Sequence, residues 1–102
     1  MGQTAKRGNG AGPRSPRRPE RAAERRRQKD LARIEALESE IAALEQEILS
    51  FEESFADPVV ARDGGKVRTL RAGIADRKAV ISQKMTEWEE LSQKLNREAA
   101  AR

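Results

Sequence analysis

Residues 31–55 read LARIEALESEIAALEQEILSFEESF. Large apolar side chains recur here at steps of three or four residues, the spacing that places them on one face of an α-helix. This row, the first seam, consists of Leu31, Ile34, Leu37, Ile41, Leu44, Ile48, Phe51 and Phe55. Acidic residues cover most of the remaining surface. The stretch therefore predicts a long amphipathic helix whose apolar face must pack against another helix.

A second apolar row follows a turn signal. Asp57-Pro58 ends the first helix, because proline lacks a backbone donor and disfavours helix at the residue before it. Asp63 can cap a following helix, and Gly64-Gly65 gives the backbone freedom to reverse. The second seam consists of Val67, Leu70, Ile74, Ile81, Met85, Trp88, Leu91 and Leu95.

The two seams match when the chain folds back on itself. Opposed residues of an antiparallel hairpin have nearly constant number sums, and 55 with 67, 48 with 74 and 41 with 81 all add to 122. One mismatch remains, since Leu44 faces Arg77 or Lys78, whose stems can cover it while their charges reach acids of the first helix. We predict an all-α fold, an antiparallel two-helix coiled-coil hairpin. We place its helices at about 20–56 and about 66–97, with a turn at 57–65 and a frayed end at 98–102.

The N-terminal segment differs in composition from the rest. Residues 1–29 hold ten bases and two acids, a net charge of +8, whereas residues 30–102 carry −4. Gly, Pro and Arg dominate residues 1–19, which predicts a disordered basic linker. Such an arm favours a polyanionic partner, DNA or RNA, through phosphate contacts. The binding candidates are Arg14, Arg17, Arg18, Arg21, Arg25, Arg26, Arg27 and Lys29.

Other functional classes are excluded by what the sequence lacks. The chain has no His and no Cys, which removes thiol nucleophiles, Ser-His-Asp chemistry and the usual zinc sites. We therefore expect no catalytic residue, no metal and no cofactor. No apolar run reaches the roughly 18 residues of a membrane span, so a cytoplasmic location without membrane contact is the expectation. Residues 1–50 contain no aromatic side chain, so base stacking is not expected and nucleic-acid binding should have low sequence specificity.

The body resembles the C-terminal coiled-coil domain of ABC-F (Uup-type) ATP-binding cassette proteins over roughly residues 24–97. The matching segments are IEALESEIAALEQEI at 34–48, FADP at 55–58, Asp63, and WEEL at 88–91. The resemblance implies an accessory domain of a cytoplasmic ATPase that binds nucleic acid or docks to the ribosome. The chain itself should not hydrolyse ATP, because the nucleotide-binding domains are absent and Gly65-Lys66-Val67 is not a phosphate-binding loop. The chain is then a C-terminal fragment of such an ATPase or a standalone remnant.

Two other functions fit parts of the pattern. A structural coiled-coil module for protein interaction would use the same hairpin without binding nucleic acid. In a basic-zipper dimer, RAAERRR at 21–27 would form the basic region, but Pro19 stands where that family's base-contacting Asn is expected. Self-association of two hairpins would cover a wider apolar stripe, and the oligomeric state stays open.

Overall fold

The computed structural model describes residues 17–101, with side chains from residue 20 onward. Within this part of the chain there are three helices, α1 (Arg17–Ser54), α2 (Pro58–Arg62) and α3 (Gly64–Ala100). No strand occurs within residues 17–101, so the all-α prediction is confirmed. None of these helices is long and apolar enough to cross a membrane. The predicted linker lies largely outside the described residues.

The chain divides into two units, Met1–Leu31 and Ala32–Arg102. In the second unit α1 and α3 lie side by side in opposite directions. Arg33 contacts Glu87 and Glu47 contacts Arg77, and these pairs of residue numbers add to 120 and 124, close to the predicted 122. The antiparallel hairpin is thereby confirmed. Because α3 covers the first seam within the same chain, that seam is not available to a parallel zipper.

The hairpin core is thin. Leu37 has no accessible surface and Ile48 is also buried, but two helices shield only one face of each other. Two predicted seam residues are exposed, Leu31 by 43% and Met85 by 46%. The remaining twelve are half-buried: Ile34, Ile41, Leu44, Phe51, Phe55, Val67, Leu70, Ile74, Ile81, Trp88, Leu91 and Leu95.

Both long helices extend beyond their predicted outer ends. α1 begins at Arg17, which puts Pro19 inside its first turn rather than ahead of it. Proline is tolerated there because the first four N–H groups of a helix have no partner within the helix. α3 continues through Ala100, where the sequence placed a frayed end from residue 98.

The turn predicted at 57–65 contains a helix of its own. Asp57 caps α2 by accepting from Val59 N at 2.9 Å, and Pro58 occupies its first position. Asp63 ends α2 in an extended conformation and caps α3 by accepting from Lys66 N at 3.1 Å, as predicted. Gly64 and Gly65 are the first residues of α3, so the chain reverses at the two extended aspartates and not at the glycines. A five-residue helix is too short to leave a recognisable apolar period.

Candidate nucleic-acid interface

A row of basic side chains runs along the N-terminal part of α1. Arg21, Arg25 and Lys29 stand four residues apart, so they lie on one face of the helix at intervals of about 6 Å. All three side chains are exposed. Within the described part of the chain none of them forms an ion pair. We call these three residues the basic row.

Glu24 lies to one side of the basic row. At about 100° per residue, Glu24 and Arg26 fall on opposite sides of it. Arg27 forms an ion pair with Glu24, which also accepts from Gln28 Nε2 at 3.2 Å. The carboxylate nearest the row is therefore engaged by its own neighbours, and the row remains a positive surface.

The structure places the eight predicted binding residues unevenly. Arg21, Arg25, Arg26 and Lys29 are exposed, whereas Arg27 is half-buried and engaged with Glu24. Arg14 lies outside the described residues, and α1 begins at Arg17 and Arg18, whose side chains also lie outside them. The four-residue spacing of 21, 25 and 29 falls within the helix predicted from about residue 20, and the structure places all three side chains on one exposed face of α1.

In the second unit Arg33, Arg77 and Lys84 each form an ion pair with an acid of the opposite helix. Arg33 donates Nε and Nη2 to Glu87 at 2.7 and 2.9 Å, and Lys84 Nζ donates to Glu40 at 2.8 Å. The hydrogen bond from Arg33 lowers the pKa of Glu87, and that from Lys84 lowers the pKa of Glu40, because each stabilises the charged carboxylate. The same bond to Glu87 raises the pKa of Arg33. We call these four residues the charged edge, and their pairing helps to fix which residues of the two helices face each other.

The mismatch predicted at Leu44 is resolved by Arg77. Its Nε donates to Glu47 at 2.6 Å, as the sequence suggested, and Nη1 donates to the Gly73 carbonyl at 3.2 Å. Its guanidinium also lies 4.6 Å from the centroid of the Phe51 ring. Leu44 is half-buried. The charge at this seam position is thus held by a carboxylate, a carbonyl and a ring face.

No group of His, Cys, Asp or Glu within residues 17–101 is arranged to hold a metal ion.

Among known proteins, the family model described as ABC transporter C-terminal domain matches residues 25–93. No curated protein and no solved structure matches the chain. The matched range takes in Arg25 and Lys29 of the basic row, both helices of the hairpin and its tip.

Proposed function

The chain belongs to the ABC transporter C-terminal domain family, and from this premise we propose that it is a non-catalytic accessory domain that binds the phosphate backbone of nucleic acid. The observation that carries the proposal is the basic row of Arg21, Arg25 and Lys29. Its side chains are exposed, share one face and form no ion pair within the described residues. Arg14, Arg17, Arg18 and Arg26 would add positive charge at the same end.

Physical chemistry favours a phosphate backbone as the ligand of this row. The row is about 12 Å long, and one DNA strand presents a phosphate about every 3.4 Å along its axis. Bases on one helix face neutralise such phosphates and release counterions without reading sequence. DNA and RNA, including the RNA of a ribosome, both present a phosphate backbone that the row could contact. The proposal also places the protein in the cytoplasm.

A non-catalytic role is supported by the start of α3. A phosphate-binding loop needs a glycine-rich loop, then Lys and Ser/Thr at the start of a helix. Here Gly64 and Gly65 are already helical, Val67 follows Lys66, and Asp63 occupies the cap position where a phosphate would lie. The cap carboxylate would repel a nucleotide. The family match likewise covers an accessory domain and not an ATPase core.

The test compares the wild-type chain with two variants that each lose three positive charges. R21Q/R25Q/K29Q removes the basic row, and R62Q/K66Q/R68Q removes three exposed bases near the tip as the matched control. Fluorescence anisotropy with labelled duplex DNA and a labelled RNA stem-loop is recorded from about 50 to 200 mM salt. If each row residue contacts a phosphate, the slope of log K against log salt should fall by about 3 for the row variant.

The outcomes separate the competing functions. Loss of affinity in the row variant, with the control near wild type, supports the proposal. Equal loss in both variants shows that the row is not a preferred contact, and a larger loss in the control assigns the contact to the tip of the hairpin. If the wild-type chain binds neither nucleic acid at low salt, the proposal fails and the protein-interaction module is the better description.

A further inference from the structure

An apolar groove runs along the hairpin on the side away from the charged edge. Two exposed side chains form its rim, Leu49 from α1 (48% exposed) and Met85 from α3 (46% exposed). Half-buried or buried side chains from both helices lie between them: Ile41, Ile48, Ile81 and Trp88. The indole Nε1 of Trp88 is satisfied by Glu38 at 2.9 Å, so the groove presents mainly hydrocarbon. Apolar surface that gathers along one face is the signature of an interaction site.

Charges of opposite sign flank this groove on its two sides. Glu45 borders it from α1 and Lys78 borders it from α3. Seven residues nearer the tip, the same two faces carry Glu52 and Arg71, since seven residues are close to two helical turns. None of these four side chains forms an ion pair within the described residues. The groove is therefore an apolar strip with unpaired acid on one side and unpaired base on the other.

We infer that a second copy of this chain docks in the groove, with the two hairpins side by side and their tips at the same end. A two-fold axis along the groove exchanges its left and right sides, so the acidic side of each copy faces the basic side of the other. Glu45 then meets Lys78 of the second copy, and the converse pair forms by symmetry. The assembly is a four-helix bundle that covers Leu49 and Met85.

The charge pattern selects this arrangement over the reversed one. A two-fold axis across the groove would place the tips at opposite ends and bring acid against acid and base against base. Like charges in such contact oppose association, whereas the side-by-side arrangement places Glu45 opposite Lys78 and Glu52 opposite Arg71 of the other copy. The arrangement requires only surfaces that the second unit already presents.

The experiment exchanges the charges one at a time and then mixes the products. Sedimentation equilibrium of the full chain should show a concentration-dependent dimer. E45K and K78E should each weaken self-association by roughly tenfold or more, because each homodimer then contains two like-charged pairs. An equimolar mixture of E45K and K78E should restore the dimer, since both contacts in the mixed species pair a lysine with a glutamate.

Controls separate a lost interface from a lost fold. L49Q removes an exposed rim residue and should weaken the dimer, whereas V59Q, at the 66% exposed Val59 of the tip, should not. Circular dichroism should show unchanged helix content for all four variants. A monomeric wild-type chain, self-association unaltered in E45K and K78E, or a mixture that fails to restore the dimer each overturns the inference. With no cysteine in the chain, disulfide cross-linking cannot imitate the result.

Discussion

Replacing Gly73 by alanine should destabilise the hairpin, although alanine is the better helix former by about 1 kcal/mol. Gly73 lies inside α3, where the ring of Phe51 from α1 packs directly on its backbone. A Cβ atom at position 73 would lie 3.0 Å from Cε2 of that ring. Ordinary carbon–carbon contacts are about 3.5–4.0 Å, so the ring would have to move by a few tenths of an ångström.

The surroundings of the Phe51 ring resist this movement. The guanidinium of Arg77 lies 4.6 Å from the ring centroid and is itself held by Glu47 at 2.6 Å. Overpacking of this kind costs about 1–3 kcal/mol. Set against a gain of about 1 kcal/mol from helix propensity, the net effect is a loss of about 1 kcal/mol. For a domain of this size that corresponds to a fall in Tm of roughly 4–8 °C.

The assay is a double-mutant cycle in urea and thermal unfolding, followed by circular dichroism at one protein concentration. The four chains are wild type, G73A, F51L and G73A/F51L. With Phe51 present, G73A should destabilise; in the F51L background the same change should stabilise by about 1 kcal/mol, because the ring is gone. If G73A stabilises both backgrounds equally, the ring does not pack on residue 73 and the reasoning is refuted.

Three further predictions concern the core, the cap and the charged edge. Leu37→Ala should cost about 2–5 kcal/mol in urea unfolding, because Leu37 is fully buried; a loss below about 1 kcal/mol would contradict its place in the core. Asp63→Ala should cost about 0.5–2 kcal/mol through loss of the α3 cap, whereas the exposed control Asp76→Ala should cost less. Arg33 lowers the pKa of Glu87 below its ordinary value of 4.5, so the stabilisation from this pair should be complete above about pH 4.5 and should be lost as the pH falls through the lower folded-state pKa. E87Q should therefore show a smaller fall in Tm on acidification than wild type, and equal falls would argue against the pair.

Much of the fold was predictable because the apolar residues of a long amphipathic helix recur at regular spacing in the sequence. The apolar spacing across residues 31–55 and 67–95 gave the two faces, and the constant number sum gave an antiparallel register close to the one observed. Asp63 could be identified as a cap because a side-chain acceptor is needed where the first N–H groups of a helix lack partners. The candidate interface was predictable in composition, since the excess of bases before residue 30 is plain in the sequence.

Other features depended on how the helices meet. Met85 was predicted for the seam but forms the exposed rim of a groove. Apolar spacing predicts which face of the helix a residue lies on, but it does not predict the direction that a flexible side chain takes from that face. Arg27 was predicted to bind nucleic acid, yet it is engaged by Glu24 three residues earlier in the same helix. The helix over residues 21–29 was predicted, but helical spacing alone does not decide which of several neighbouring arginines Glu24 engages.

The sequence by itself determined that this chain forms two amphipathic helices, that they fold back on each other, and that positive charge collects at its beginning. These properties follow from residue order, because apolar period, proline position and charge count are local. Only the tertiary structure decided that Phe51 packs against Gly73, that Arg33 and Glu87 share one edge, and that an apolar groove flanked by opposite charges lies on the other side. Such contacts join residues 22 to 54 positions apart. Their geometry depends on the angle and distance at which the two helices pack, which a local sequence pattern does not predict.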